Sequence, residues 1–149
     1  MEIPSCYKAC EPVTQRFAPD ALFILVVEDH ADTRRMLRIF LERSGHHVQV
    51  AATLGEALYL CEETERRFDL LLCDIGLPDG NGWNLLQILK TGKSAPSLAI
   101  ALSGWDSDDD IAKSRAAGFF AHLIKPVPPD KFTRALRAAA DRIKASGRN

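Results

Sequence analysis

Three stretches of this chain are apolar almost from end to end: ALFILVV (21–27), FDLLLCD (68–74) and SLAIALS (97–103). A strand with one wet face alternates apolar and polar side chains. A short continuous apolar run instead demands cover on both faces, as in the parallel sheets that helices bury from either side. These three runs therefore predict buried strands and ask for helices between them.

The intervening sequence supplies the helices. In DTRRMLRIFLERSG, Met36, Leu37, Ile39, Phe40 and Leu41 give a helical stripe, with Asp32 as the expected N-cap and Gly45 as the C-cap. HVQVA reads as a short strand. TLGEALYLCEETERR opens on Thr53 and Glu56 at capping-box spacing and reads as a helix. After FDLLLCD comes a turn-rich loop, IGLPDGNG, then a helix, WNLLQILKTG, that stops at Gly92. DSDDDIAKSRAAG carries acids in its first turn, which suits the helix dipole, and ends on Gly118. FAHLIK is a last strand, and PPDKFTRALRAAADRIKAS a closing helix with Pro129 in its first turn. Five strands alternate with five helices, so the fold class is a doubly wound α/β three-layer sandwich of (βα)5 form with parallel crossovers.

The alternating pattern occupies residues 21–146 of the 149, leaving a short tail at 147–149. Residues 1–20 carry Pro4, Pro12 and Pro19 without periodicity and read as an extension or linker. Cys6 and Cys10 lie there at i, i+4, but no second pair completes a metal site. With Cys61 and Cys73 they read as free thiols. A formal net charge of -1 gives no basic field for nucleic acid or a membrane surface. The longest apolar run is far short of the roughly 20 residues a bilayer requires. The first residues hold no apolar core of a secretory leader. The expected location is the cytoplasm, without nucleic-acid or membrane partners.

In open parallel sheets, ligands bind beyond the carboxyl ends of the strands. Strand one is followed by Glu28 and Asp29, strand three ends on Asp74, strand four on Ser103, and strand five on Lys125 before Pro126. Any one of these fits a loop start or a helix cap. Together they bring three carboxylates, a hydroxyl and an ammonium to one edge. Carboxylates converging at about 4 Å repel by a few kcal/mol per pair at an effective dielectric near 20. Lys125 offsets one charge; a hard divalent cation such as Mg²⁺ offsets more. A metal and a lysine flanking a carboxylate point to phosphoryl chemistry.

ILVVEDH, LLLCDIGLPDGNGW, ALSGW and HLIKP, in this order, resemble the receiver domains of two-component response regulators over about residues 21–146. The resemblance implies a flavodoxin-like sheet of order 2-1-3-4-5. It implies that Asp74 is the phosphoacceptor, taking a phosphoryl group from a phosphohistidine of a histidine kinase or histidine phosphotransfer protein. Mg²⁺ would be bound by Asp29, Asp74 and the backbone carbonyl of Gly76, with Glu28 helping through water. Lys125 would pair with the incoming phosphoryl group and follow into a cis Lys125-Pro126 bond. Ser103 would hydrogen-bond the phosphoryl group and draw in the loop. By its place two residues past Ser103, Trp105 reads as a lid against water or as packing against the entry of the fourth helix. His122 stands at the switch position, where the family usually has an aromatic residue, and would swing from an exposed to a buried rotamer. Such a chain is a phosphoacceptor and no enzyme in the ordinary sense. It is either a stand-alone regulator or phosphate shuttle, or the receiver part of a hybrid histidine kinase.

Departures from the pattern are Glu28 where many members have Asp, Asn81 where many have Asp, and His122. A rival from another class is an aspartate-dependent phosphatase of the haloacid dehalogenase type. It requires an acid two residues after its nucleophile; here Gly76 follows Asp74, and Ala31 follows Asp29. No P-loop or dinucleotide fingerprint is present. His30, His46 and His47 read as surface histidines. The closing helix, with Arg134, Arg137, Arg142, Lys144 and Arg148, reads as a solvated basic face.

Overall fold

The computed structural model describes residues 20–104 and 107–147. Strands β1 (Phe23–Val27), β2 (His47–Ala51), β3 (Leu70–Asp74), β4 (Leu98–Ser103) and β5 (Ala121–Ile124) alternate with helices α1 (Ala31–Arg43), α2 (Leu54–Glu63), α3 (Gly82–Lys90), α4 (Asp108–Ala117) and α5 (Pro129–Ala145). The sheet has the order β2-β1-β3-β4-β5, and every neighbouring pair is parallel. This is the expected 2-1-3-4-5 sandwich.

Alternation along β1 shows why the run is continuous. Phe23, Leu25 and Val27 join one core with Ala57, Leu85 and Ala117 from α2, α3 and α4. Leu22, Ile24 and Val26 join a second with Leu41, Leu136 and Ile143 from α1 and α5. Right-handed crossovers impose this division. The chain steps outward from β1 to β2, then turns back past β1 to β3, β4 and β5, so α1 lies on one face and α2 to α4 on the other. The reversal leaves a crevice between β1 and β3, at the carboxyl edge where Asp29 and Asp74 stand.

Local signals hold with four corrections. The N-cap of α1 is His30, whose ring accepts from the Thr33 N–H; Asp32 lies in the first turn. Ser107 caps α4 through the Asp110 N–H. Asp106, the expected acid at that start, lies outside the described residues, as do Cys6, Cys10 and Arg148. Helix α2 ends at Glu63, short of Arg67. The loop after β3 carries a small antiparallel ladder, Gly76–Leu77 against Gly80–Asn81, and Asn81 then caps α3. Thr53 caps α2 as expected, while Glu56 reaches back to the Ala52 N–H at 2.7 Å. Gly118 ends α4 with φ 106°, a backbone conformation that side chains rarely adopt. Cys61 and Cys73 are free and buried. On α5, Arg134 pairs with Asp130, Arg142 lies over the Phe120 ring and Lys144 pairs with Asp20. No described helix is long and apolar enough to cross a membrane.

Candidate phosphoryl-acceptor site

The site begins where β1 ends. Glu28 is fully buried. Its Oε2 accepts the His30 N–H at 3.1 Å, and Arg34 Nη1 donates to the Glu28 and Asp29 carbonyls at 2.9 and 3.3 Å. These bonds fold the β1–α1 turn tightly enough for Glu28 to point inward while Asp29 stays exposed at the rim. Asp74 closes β3, buried, with Oδ1 accepting the Gly76 N–H at 3.2 Å. One carboxylate oxygen from each of Glu28, Asp29 and Asp74 lies within 4.8 Å of the other two.

Lys125 arrives from the end of β5 through the expected cis bond to Pro126. Its Nζ donates to Glu28 Oε1 at 2.7 Å and to Asp74 Oδ2 at 3.1 Å. Burial works to lower the Lys125 ammonium, but its bonds to Glu28 and Asp74 outweigh burial and hold it above its ordinary range. One ammonium cannot neutralise three carboxylates. Like charges at these separations repel by about 3–4 kcal/mol per pair at an effective dielectric near 20. The imbalance falls on Asp74: burial first, then the Glu28 charge, push its carboxyl up to about 6. The oxygen-only donor set, its residual negative charge and the exposed rim at Asp29 fit a hard divalent cation.

Ser103 ends β4, buried, and its carbonyl accepts the Lys125 N–H at 2.7 Å. Strand pairing sets Ser103 beside Ile124 and Leu102 beside Asp74. Trp105 lies outside the described residues. His122 is half-buried, not in an exposed rotamer, because its Nδ1 lies 2.7 Å from Ser114 Oγ on α4. That same hydroxyl accepts the Trp83 Nε1–H from α3 at 2.9 Å.

Four positioning residues escaped the sequence reading. Arg34 holds the β1–α1 turn. Asp79 accepts the Leu54 and Gly55 N–H groups at 2.8 and 3.0 Å, tying the loop after Asp74 to the start of α2. Ser114 and Trp83 link α4 to α3. Ser114 alone gave a local signal: a polar residue one turn before Ala117 on the buried stripe of α4 implies a partner. Gly82 lets α3 start against the backbone of Asp74. A Cβ there would meet the Asp74 carbonyl oxygen at 2.9 Å and Cys73 Sγ at 3.0 Å. The Cys73 thiol is itself pushed strongly upward by burial and by the Asp74 charge, which leaves it inert.

A doubly wound sheet with acids and a lysine at its switch point is shared by several protein classes, and similarity decides among them. Residues 24–137 match the family model of the response regulator receiver domain. The chain belongs to that family. It is 36% identical over 130 residues to the sensor histidine kinase AruS of Pseudomonas aeruginosa, covering 84% of this chain and 13% of the kinase. It is 35% identical over 123 residues to the KDP operon transcriptional regulatory protein KdpE of Escherichia coli, covering 83% of this chain and 53% of the regulator. The chain thus spans about half of that regulator and a small part of that kinase. Among solved structures, a CheY-like receiver domain protein from Methanospirillum hungatei JF-1 superposes with a TM-score of 0.76 at 31% identity, covering 85% of this chain and 99% of that one. It is a receiver domain of two-component systems, and the haloacid dehalogenase alternative finds no support.

Proposed function

We propose that Asp74 accepts a phosphoryl group from the phosphohistidine of a histidine kinase or histidine phosphotransfer protein. The observation that carries this reading is the convergence of Glu28, Asp29 and Asp74 around a single ammonium, Lys125. An Asp74 oxygen forms the new O–P bond as the P–N bond to the donor imidazole breaks. The imidazole keeps the electron pair and takes a proton from water. At neutral pH a carboxyl near 6 is ionised and more basic than an ordinary aspartate, which favours attack.

Asp29, Asp74 and the Gly76 carbonyl would hold Mg²⁺, with Glu28 acting through water because Lys125 and the His30 N–H already occupy its oxygens. The ion supplies neutralisation between the carboxylates and the phosphoryl oxygens. Lys125 pairs with the transferred group. Ser103 hydrogen-bonds it and draws in the following loop, where Trp105 shields the acyl phosphate. His122 relays the change to a partner surface, so the output is a switch of protein contacts and not turnover of an external substrate. A stand-alone regulator in the cytoplasm and the receiver part of a hybrid kinase both use this chemistry.

Incubation with acetyl phosphate and Mg²⁺, read by intact mass, tests the assignment. One phosphoryl adduct is expected on the wild type and none on Asp74→Asn. An adduct of unchanged yield on Asp74→Asn overturns it.

A further inference from the structure

The three carboxylates of the site are held by different means. Glu28 accepts Lys125 Nζ at 2.7 Å on Oε1 and the His30 N–H at 3.1 Å on Oε2. Asp74 accepts Lys125 Nζ at 3.1 Å on Oδ2 and the Gly76 N–H at 3.2 Å on Oδ1. The Asp29 carboxylate, exposed at the rim, makes no hydrogen bond or ion pair among the described residues. Where its oxygens stand is therefore set by its backbone and its own rotamer.

The backbone on either side of Asp29 is tied by Arg34. The last paired residue of β1 is Val27, and the α1 ladder begins at the His30 carbonyl, which accepts the Arg34 N–H at 2.9 Å. The Glu28 and Asp29 carbonyls fall between the two ladders. Arg34 Nη1 donates to both, at 2.9 and 3.3 Å. Helical side chains lean toward the amino end of their helix, so an arginine early in α1 reaches back over the residues before it. The two peptide groups it holds flank the Asp29 Cα. Peptide planes turn only about φ and ψ, so holding both planes fixes both angles of Asp29. Arg34 is half-buried and forms no ion pair among the described residues, so its hold on the acid runs through the main chain.

We propose that Arg34 is a positioning residue for the metal. By fixing the main chain on both sides of Asp29, it aims that carboxylate at a divalent cation shared with Asp74. The role rests on the Mg²⁺ part of the phosphoacceptor reading and not on phosphoryl transfer. A positive charge near a divalent cation repels it. If charge were all that Arg34 contributed, removing it would tighten Mg²⁺ binding. Positioning predicts the opposite sign, and groups that orient metal ligands are typically worth about 10–100-fold in metal affinity.

The test is a titration of the full chain with Mg²⁺ alone, followed by the His30 and Gly76 amide signals. Arg34→Met removes donor and charge but keeps a long, helix-favouring side chain. It should weaken Mg²⁺ binding about tenfold. Equal or tighter binding overturns the proposal. Arg34→Lys, with the charge unchanged, should lie between. It carries the test if Arg34→Met does not unfold cooperatively, and binding equal to the wild type then overturns the proposal. With acetyl phosphate, the rate of adduct formation in Arg34→Met should fall most at low Mg²⁺, and the gap should narrow as Mg²⁺ is raised. A gap that stays constant removes Arg34 from the metal and overturns the proposal. A wild type that binds no Mg²⁺ overturns it as well. A wild type that binds Mg²⁺ yet takes no adduct strikes the phosphoacceptor reading and leaves the positioning role to the titration.

Discussion

Strand β3 has an aspartate at each end, and the two live differently. Asp69, just before the strand, is buried. It accepts the Phe23 N–H at 2.8 Å and pairs with Arg66 at 3.3 Å, while the same guanidinium covers the Phe23 ring at 4.9 Å. Asp74, at the other end, shares the Lys125 ammonium with Glu28. The first carboxylate joins two strands with its charge matched. The second is held in a place where charge exceeds compensation. Both carboxylates are buried; what sets Asp74 apart is the Glu28 charge, which adds to the larger effect of burial in pushing its carboxyl up.

The sharpest way to break this contrast is by phosphorylation. Asp69→Asn should retain the acetyl phosphate adduct that Asp74→Asn loses entirely. If a cooperatively folded Asp69→Asn also fails to take the adduct, the two ends of β3 are not separable in function.

Stability against pH comes next. Without metal, the folded Asp74 carboxyl near 6 lies above its ordinary value of 3.8. The folded state therefore binds the proton more tightly, and stability is lost as pH rises from the ordinary value through about 6. The loss is on the order of 2–3 kcal/mol at neutral pH. Urea unfolding should show this fall in the wild type and a flatter profile in Asp74→Asn. Added Mg²⁺ should stabilise the wild type more than the variant. Equal slopes in both proteins would remove Asp74 as the seat of the surplus.

Asp69→Ala should lower stability by about 1–3 kcal/mol, because it leaves the buried Phe23 N–H without its acceptor. The pH slope assigned to Asp74 should survive, and urea midpoints across the same window check both statements. The smallest effect belongs to Asp79, an exposed carboxylate held below its ordinary range by the Gly55 and Leu54 N–H groups. Its contribution has the opposite sign to that of Asp74: present above the ordinary value and lost as pH falls through the lowered one. Asp79→Ala should speed hydrogen exchange at the Leu54 and Gly55 amides while leaving β3 protected.

What the sequence made legible follows the range of the interactions involved. Strands β1, β3 and β4 announce themselves because both faces are covered, so the run is apolar almost throughout. The reactive edge is legible for a related reason: strands stop where acids begin, and parallel topology gathers those stops together. Caps shifted by a residue or two because several polar residues compete near each helix start, as His30 did with Asp32. Contacts such as Asp79 with Leu54, or Trp83 with Ser114, join residues 25 and 31 positions apart and leave almost no local pattern. The inward turn of His122 depends on Ser114, a partner on another element, so the histidine alone did not show it.

The close approach at Gly82 has a genetic consequence. A residue with no side chain and no chemistry sits against the backbone of Asp74, the proposed phosphoacceptor, where even a methyl group would collide with the Asp74 carbonyl. A mutational screen that scores only lost phosphoryl acceptance should recover Gly82→Ala together with the acidic residues, from chains that still fold. Position 82 would then look catalytic in such a map, although all it contributes is room.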